Sequence, residues 1–140
     1  IYGLNKMGAK VMVCGPAHLI PYGIEELGVL VSNNIEETLD WADAINVLRI
    51  QRERMGVGLI PSVREYRNSF GITNERLKKF NKKIIVMHPG PMNRGVEIDS
   101  DVAESSQAII LDQVLNGVAI RMSILYCLLG EEKDLQNEKK

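Results

Sequence analysis

An arginine and a glutamine two residues apart, Arg49 and Gln51, close the apolar run Ala44-Ile45-Asn46-Val47-Leu48, whose composition is that of a strand. Side chains at i and i+2 project to the same side there, so the Arg49 guanidinium and the Gln51 amide converge while Ile50 points away. A guanidinium fork grips a carboxylate through two parallel charge-assisted hydrogen bonds, and the amide adds a neutral donor. The pair suits a dicarboxylic amino acid. A second apolar run, Ile84-Ile85-Val86-Met87, delivers its end into the turn His88-Pro89-Gly90-Pro91. The two prolines fix their own φ and bias His88 and Gly90 toward extended geometry, so the turn's carbonyls point where the chain directs them. Such carbonyls accept from the NH2 group of a small ligand. His88, alone at a strand end, reads as a packed residue rather than a catalyst. His18, after Cys14-Gly15-Pro16-Ala17, belongs to a strand-exit turn.

Both stretches must sit at the ends of strands in one sheet. Apolar runs of strand length recur at 10–14, 29–31, 44–50 and 83–87, separated by segments with helical signals. Asn34 caps an amphipathic segment, 35–42, with acids in its first turn. Thr73 caps 74–80, and Gly71 separates it from a further helix over 63–70. From Ser106 onward apolar spacing predicts about six helical turns ending at Gly130. The start, Tyr2 to Gly8, reads as the tail of a helix. Alternation of this kind predicts an α/β fold, a doubly wound, Rossmann-like parallel sheet flanked by helices. Residues 1–130 form a single domain in this reading, and 131–140 a charged, frayed C-terminal tail.

The composition suits one globular domain: 140 residues, 45% hydrophobic and 25% charged. With a net charge of −1 and its cations spread along the chain, there is no basic field to attract nucleic acid. Asp112, Gln113, Asn116 and Arg121 interrupt the longest apolar stretch, so no uninterrupted run reaches the roughly 18 residues of a membrane span. No secretory signal is visible, and a cytoplasmic location is expected. Cys14 and Cys127 lie in apolar stretches without CxxC spacing and are expected to be buried free thiols. No metal-ligand spacing, phosphate loop or Ser/His/Asp order occurs.

The 84–98 stretch, taken with Leu48-Arg49-Ile50-Gln51-Arg52-Glu53-Arg54-Met55 and Gln113-Val114-Leu115-Asn116-Gly117-Val118-Ala119-Ile120-Arg121-Met122, closely resembles the C-terminal, aspartate-binding domain of the aspartate carbamoyltransferases. The three motifs occur in order across nearly the whole chain, which then looks like one domain of a two-domain enzyme that begins at Ile1. The resemblance implies that Arg49 and Gln51 hold aspartate, and that backbone groups of Pro89, Gly90 and Pro91 hold the carbamoyl NH2 of carbamoyl phosphate. Two readings stand level for Glu53 and Arg54: a solvated loop, or Glu53 bracing Arg49 while Arg54 reaches toward the N-terminal domain on closure. Arg121, among apolar neighbours, is expected to pair with Glu53, Glu97 or Asp112. Asn93, Arg94 and Glu97 could rim the pocket or serve as polar caps.

In the reaction so implied, a step of pyrimidine biosynthesis, the α-amine of L-aspartate attacks the carbonyl carbon of carbamoyl phosphate. A tetrahedral intermediate then expels phosphate, leaving N-carbamoyl-L-aspartate. No metal or organic cofactor is required. The family's phosphate-binding residues and catalytic histidine lie in the N-terminal domain, so no catalytic residue is expected here and the domain alone should be inactive. The resemblance further implies a homotrimer of the complete chain, with regulatory chains or a dihydroorotase as additional partners.

Three rivals remain. Ornithine carbamoyltransferases share the fold but carry a His-Cys-Leu-Pro turn and a Ser-Met-Gly loop, where this chain has His88-Pro89-Gly90-Pro91 and Arg49-Ile50-Gln51. A nucleotide-binding module would want G-x-G-x-x-G after the first strand, and Cys14-Gly15-Pro16 does not supply it. A non-catalytic amino-acid-binding relic would keep fold and pocket, and the intact Arg49, Gln51 and Gly90 argue against it.

Overall fold

Short apolar runs become short parallel strands. In the computed structural model, which describes residues 1–51 and 62–129, β1 (Met12–Cys14) pairs in parallel with β2 (Leu30–Ser32). Strand β3 (Ala44–Asn46) pairs in parallel with β4 (Ile85–Met87). Parallel neighbours need crossover connections. Helix α1 (Tyr2–Lys6) precedes β1, and between β1 and β2 the chain makes two 3-10 turns, Ala17–Leu19 and Ile24–Leu27; α2 (Ile35–Trp41) leads from β2 to β3, and the connection from β3 to β4 carries α3 (Val63–Phe70) and α4 (Asn74–Leu77). After β4 come α5 (Ser100–Ala103) and α6 (Ile110–Leu129). The result is an α/β domain of parallel strands flanked by helices, its named strands assigned as two parallel pairs.

Local chemistry sets the helix starts. Asn34 Oδ1 accepts from the N–H groups of Glu36 and Glu37 at 3.0 and 3.3 Å, Ser62 Oγ accepts from Glu65 at 3.0 Å, and Thr73 Oγ1 accepts from Arg76 at 3.1 Å. Each relieves a donor that has no partner within the helix. The helix expected over 74–80 stops at Leu77, because Lys79 and Phe80 donate to carbonyls only three residues back, tightening the chain out of the α-helix.

The core surrounds β4. Ile84 and Val86 are sealed from solvent together with Leu39 of α2, Ile98, Val102 of α5 and Ile110 of α6. Full burial of such side chains stabilises by about 1.5–3 kcal/mol each. The expected helix from Ser106 begins instead at Ile110. Val86 donates to Gln107 O at 2.9 Å and accepts from Ile109 N–H at 2.9 Å, so 107–109 is held extended beside β4.

Two expectations, about Cys127 and about span length, are overturned on α6. Its apolar residues beyond the first turn are exposed, Leu115 at 69% and Leu128 at 75% among them. Cys127 is therefore exposed rather than buried, while Cys14 is half-buried. Arg121 is exposed as well, with no ion pair to a described residue and its guanidinium beside Gly117. The reason is common to both: nothing described packs on this part of the helix, so neither thiol nor guanidinium is desolvated. Moreover, α6 is long and apolar enough to cross a membrane by length and composition, with a mean hydropathy of 1.2; its scattered polar residues do not lower the average enough to prevent this. Its first turn, however, is anchored in the core through Ile110. The expected C-terminal tail, 131–140, lies outside the described residues.

Gly71 marks the tightest approach of backbones near the site. A Cβ there would stand 2.7 Å from Arg67 O and 2.9 Å from Val96 O. Gly71→Ala should destabilise the fold by about 1–3 kcal/mol, as overpacking does, whereas Gly3→Ala, where a Cβ meets nothing within 4 Å, should not. Urea unfolding of the two variants checks the contrast.

Candidate functional site

The parallel register of β3 and β4 sets Asn46 beside Met87, and Val47 N–H extends the ladder by donating to Met87 O at 2.9 Å. The segments that follow, 48–51 and 88–91, therefore leave the sheet side by side. Ile50 is buried while Arg49 and Gln51 are half-buried, the alternation that follows from a strand end.

Asn93 joins the two segments. Its Nδ2 donates to Ile50 O at 2.9 Å, and its Oδ1 accepts from Arg49 Nε at 3.5 Å. The structure thus brings together Arg49, Gln51 and the Pro89-Gly90-Pro91 turn at one end of the sheet. Glu53 and Arg54 lie outside the described residues. Arg121 is on the exposed part of α6.

The turn differs from its expected conformation at Gly90. Rather than extended, Gly90 has φ +64°, a region a residue without Cβ enters freely, and the Gly90–Pro91 peptide is cis. Its N–H folds back onto His88 Nδ1 at 2.9 Å. His88 is sealed from solvent, its Nε2 lies 3.4 Å from Glu97 Oε1, and its backbone N–H donates to Gln113 Oε1 of α6 at 2.9 Å. Glu97 is buried too; its Oε1 also accepts from Asn93 N–H at 2.5 Å, whereas its Oε2 has no hydrogen-bond partner among the described residues.

From sequence Gln113 belongs to a motif but has no site role, and Asn93 and Glu97 are open between pocket rim and polar cap. A signal existed for Gln113, a lone amide among the apolar residues of a helix start. Glu97 could not have been assigned to His88 from spacing, because the intervening turn decides which side chains meet.

At this end of the sheet the chemistry available is that of binding and positioning. Arg49 offers charge-assisted donors for a carboxylate, and the exposed turn residues Pro89 and Pro91 offer carbonyl acceptors. Among the described residues no group of three or more His, Cys, Asp and Glu side chains is arranged to hold a metal ion. A separate polar cavity of about 190 Å³ lies along α3 and α4. Its cations are already engaged: Arg67 with Asp99, and Arg76 and Lys79 with Glu36. Burial pushes the Glu36 carboxyl up, but Arg76 and Lys79 outweigh it and hold it below the usual range. Burial raises the Cys14 thiol, so it is a poor nucleophile.

Residues 1–128 match the family model described as the aspartate/ornithine carbamoyltransferase, Asp/Orn binding domain. The chain is 55% identical over 135 residues to the aspartate carbamoyltransferase catalytic subunit of Gemmatimonas aurantiaca, covering 96% of this chain and 42% of that protein. It thus spans well under half the length of that curated relative. Among solved structures, it is similar to aspartate transcarbamoylase from Trypanosoma cruzi in complex with carbamoyl phosphate and aspartate, with TM-score 0.67, 25% identity, and coverage of 84% of this chain and 41% of that one. Ornithine carbamoyltransferase from Gloeobacter violaceus shares the fold, with TM-score 0.74 at 20% identity, over 92% of this chain and 46% of that one.

One ionisation reports on the surroundings of Glu97. Tyr66 of α3 stacks on Phe70 with ring centroids 5.7 Å apart, and burial, aided by the negative charge of Glu97, pushes its phenol up to about 12. The unfolded phenol titrates near 10. The folded state therefore retains a proton the unfolded state has lost, and stability present below about pH 10 falls as pH rises toward 12. Tyr66→Phe should remove that part of the alkaline loss, read from urea midpoints at pH 9 to 12.

Proposed function

Because the chain belongs to the aspartate/ornithine carbamoyltransferase family through its Asp/Orn binding domain, we propose that it is the amino-acid-binding part of an aspartate carbamoyltransferase. The complete protein transfers the carbamoyl group of carbamoyl phosphate to the α-amine of L-aspartate in pyrimidine biosynthesis. The observation that carries this reading is the meeting of Arg49 with the His88-Pro89-Gly90-Pro91 turn through Asn93. Arg49 and Gln51 take the aspartate side chain. Its acid suits the Arg49 guanidinium, where a cationic ornithine side chain would be repelled.

Backbone groups of Pro89, Gly90 and Pro91 hold the carbamoyl NH2, which orients the carbonyl carbon toward the incoming amine. Holding both reactants converts a bimolecular encounter into an oriented one. The amine adds to the carbonyl carbon, the tetrahedral intermediate collapses, and phosphate leaves with the C–O bond pair and the proton the amine gives up. Charge stabilisation on the phosphate falls to the N-terminal domain of the complete chain. Arg121 lies on the exposed part of α6, where neighbouring chain would approach.

Residues 1–130 form the domain in this proposal and 131–140 its tail. The exposed apolar side chains of α6 support a further surface packing on this domain, which we assign to the N-terminal part of the complete chain. The complete chain is proposed to form a cytoplasmic homotrimer, with regulatory chains or a dihydroorotase as further partners.

The test is carbamoyl transfer by the complete chain with aspartate or ornithine as acceptor. Aspartate-specific product is expected; ornithine use, or none with either, would overturn the reading. In the same assay Arg49→Ala should lower kcat/KM for aspartate by an amount equivalent to about 2–5 kcal/mol, the usual cost of truncating one partner of a buried charged pair. Near-normal aspartate kinetics in that variant would remove Arg49 from the site.

A further inference from the structure

Two buried side chains, His88 and Glu97, stand behind the turn. We infer that Glu97 and His88 are positioning residues that fix the Pro89-Gly90-Pro91 carbonyls and tie them to Arg49, an assignment that rests on the carbamoyltransferase reading above. Gly90 N–H is a donor at 2.9 Å from His88 Nδ1, and a backbone amide has no other role to play, so Nδ1 carries no proton. The imidazole is then neutral with its proton on Nε2, the nitrogen that faces Glu97 Oε1 at 3.4 Å. A carboxylate at that position favours this tautomer by accepting from it, as a partner on one ring nitrogen commonly decides the state of the other.

The same oxygen serves the other half of the site. Glu97 Oε1 also accepts from Asn93 N–H at 2.5 Å, and Asn93 reaches Arg49 Nε and Ile50 O. One carboxylate oxygen therefore anchors two chains of hydrogen bonds. One passes through His88 to Gly90, the carbamoyl side; the other passes through Asn93 to Arg49, the amino-acid side. Both Glu97 and His88 are at most 1% exposed, and Glu97 Oε2 is buried with no described partner. A carboxylate kept in such a place is costly for stability alone, which fits a residue retained for the geometry it imposes.

Two amides separate the ring's two functions. In His88→Asn, Oδ1 stands near the place of Nδ1 and can accept from Gly90 N–H, while contact with Glu97 is lost. In His88→Gln, the amide reaches toward Glu97 but offers nothing at the Nδ1 position. Both are neutral and both leave a polar residue in the same buried place, so a merely structural histidine predicts equal kinetic defects.

The experiment uses the complete chain and first measures turnover of the unmodified protein, which decides the carbamoyltransferase reading by itself. Steady-state kinetics of the two variants follow, with thermal melts alongside. His88→Gln should raise KM for carbamoyl phosphate about tenfold, the equivalent of one lost hydrogen bond, while His88→Asn, which restores that bond but not the Glu97 contact, should raise it by no more than about threefold, the share of the weaker, longer contact. Equal KM values in the two variants overturn the assignment. Independently of turnover and of whether the variants fold, nitrogen-15 NMR of histidine-labelled unmodified chain should find His88 neutral with a bare Nδ1 and a protonated Nε2. A proton on Nδ1 would overturn it even if the enzyme is active.

Discussion

The parallel pairing of β3 with β4 is the constraint on which the site depends. Parallel strands end on the same side of a sheet, and the register that places Asn46 beside Met87 makes both chains leave at one level. From there the polar residues need only short reach: Arg49 is three residues beyond β3, and the turn begins one residue beyond β4. An antiparallel pairing of the same sequences would put Arg49 and His88 at opposite ends. The buried side chains of Val86 and Ile84 hold this register, since a one-residue slip of β4 would bring exposed Ile85 inward and drive Val86 out.

Backbone pairing sets position but not the direction of carbonyls in a turn that has left the ladder. That direction is set by side chains. His88 is fixed at three points, by Gln113 on its backbone N–H, Gly90 on Nδ1 and Glu97 near Nε2. In a buried setting these bonds gain strength from the low local dielectric, and the network is worthwhile only when nearly all of its groups are met. The left-handed Gly90 belongs to the same arrangement. With no Cβ it can turn its N–H inward onto the imidazole while its neighbours Pro89 and Pro91 stay at the surface.

Much of this architecture was legible in the residues. Capping by Asn34 and Thr73 needs only local chain geometry, and α3 runs over 63–70, where Gly71 bounds it. Strand positions followed from apolar runs, although the pairing trims three of them to three residues and shifts 29–31 to 30–32. What spacing could not carry was tertiary. The run from 106 has helical periodicity, yet 107–109 is drawn into the sheet by Val86, a partner 22 residues before Ala108. The extended bias on Gly90 lost to a hydrogen bond that exists only once His88 is in place. Glu97 looked like a partner for Arg121 because both are charges near apolar residues, but the fold buries one and exposes the other.

Helix α6 connects these local facts to the rest of the protein. Its first turn belongs to the domain, with Ile110 in the core and Gln113 bonded both to His88 N–H and, at 3.4 Å, to Asn46 Oδ1. Its remaining turns present Leu115, Val118, Met122 and Leu125 to solvent, an apolar surface of the kind that marks a site of interaction. A helix moves as a rod over such lengths, so whatever surface covers its far end also restrains Gln113. Under the proposed reading that surface is the half that binds phosphate, and α6 then links the seating of the two halves to the turn that faces the carbamoyl group.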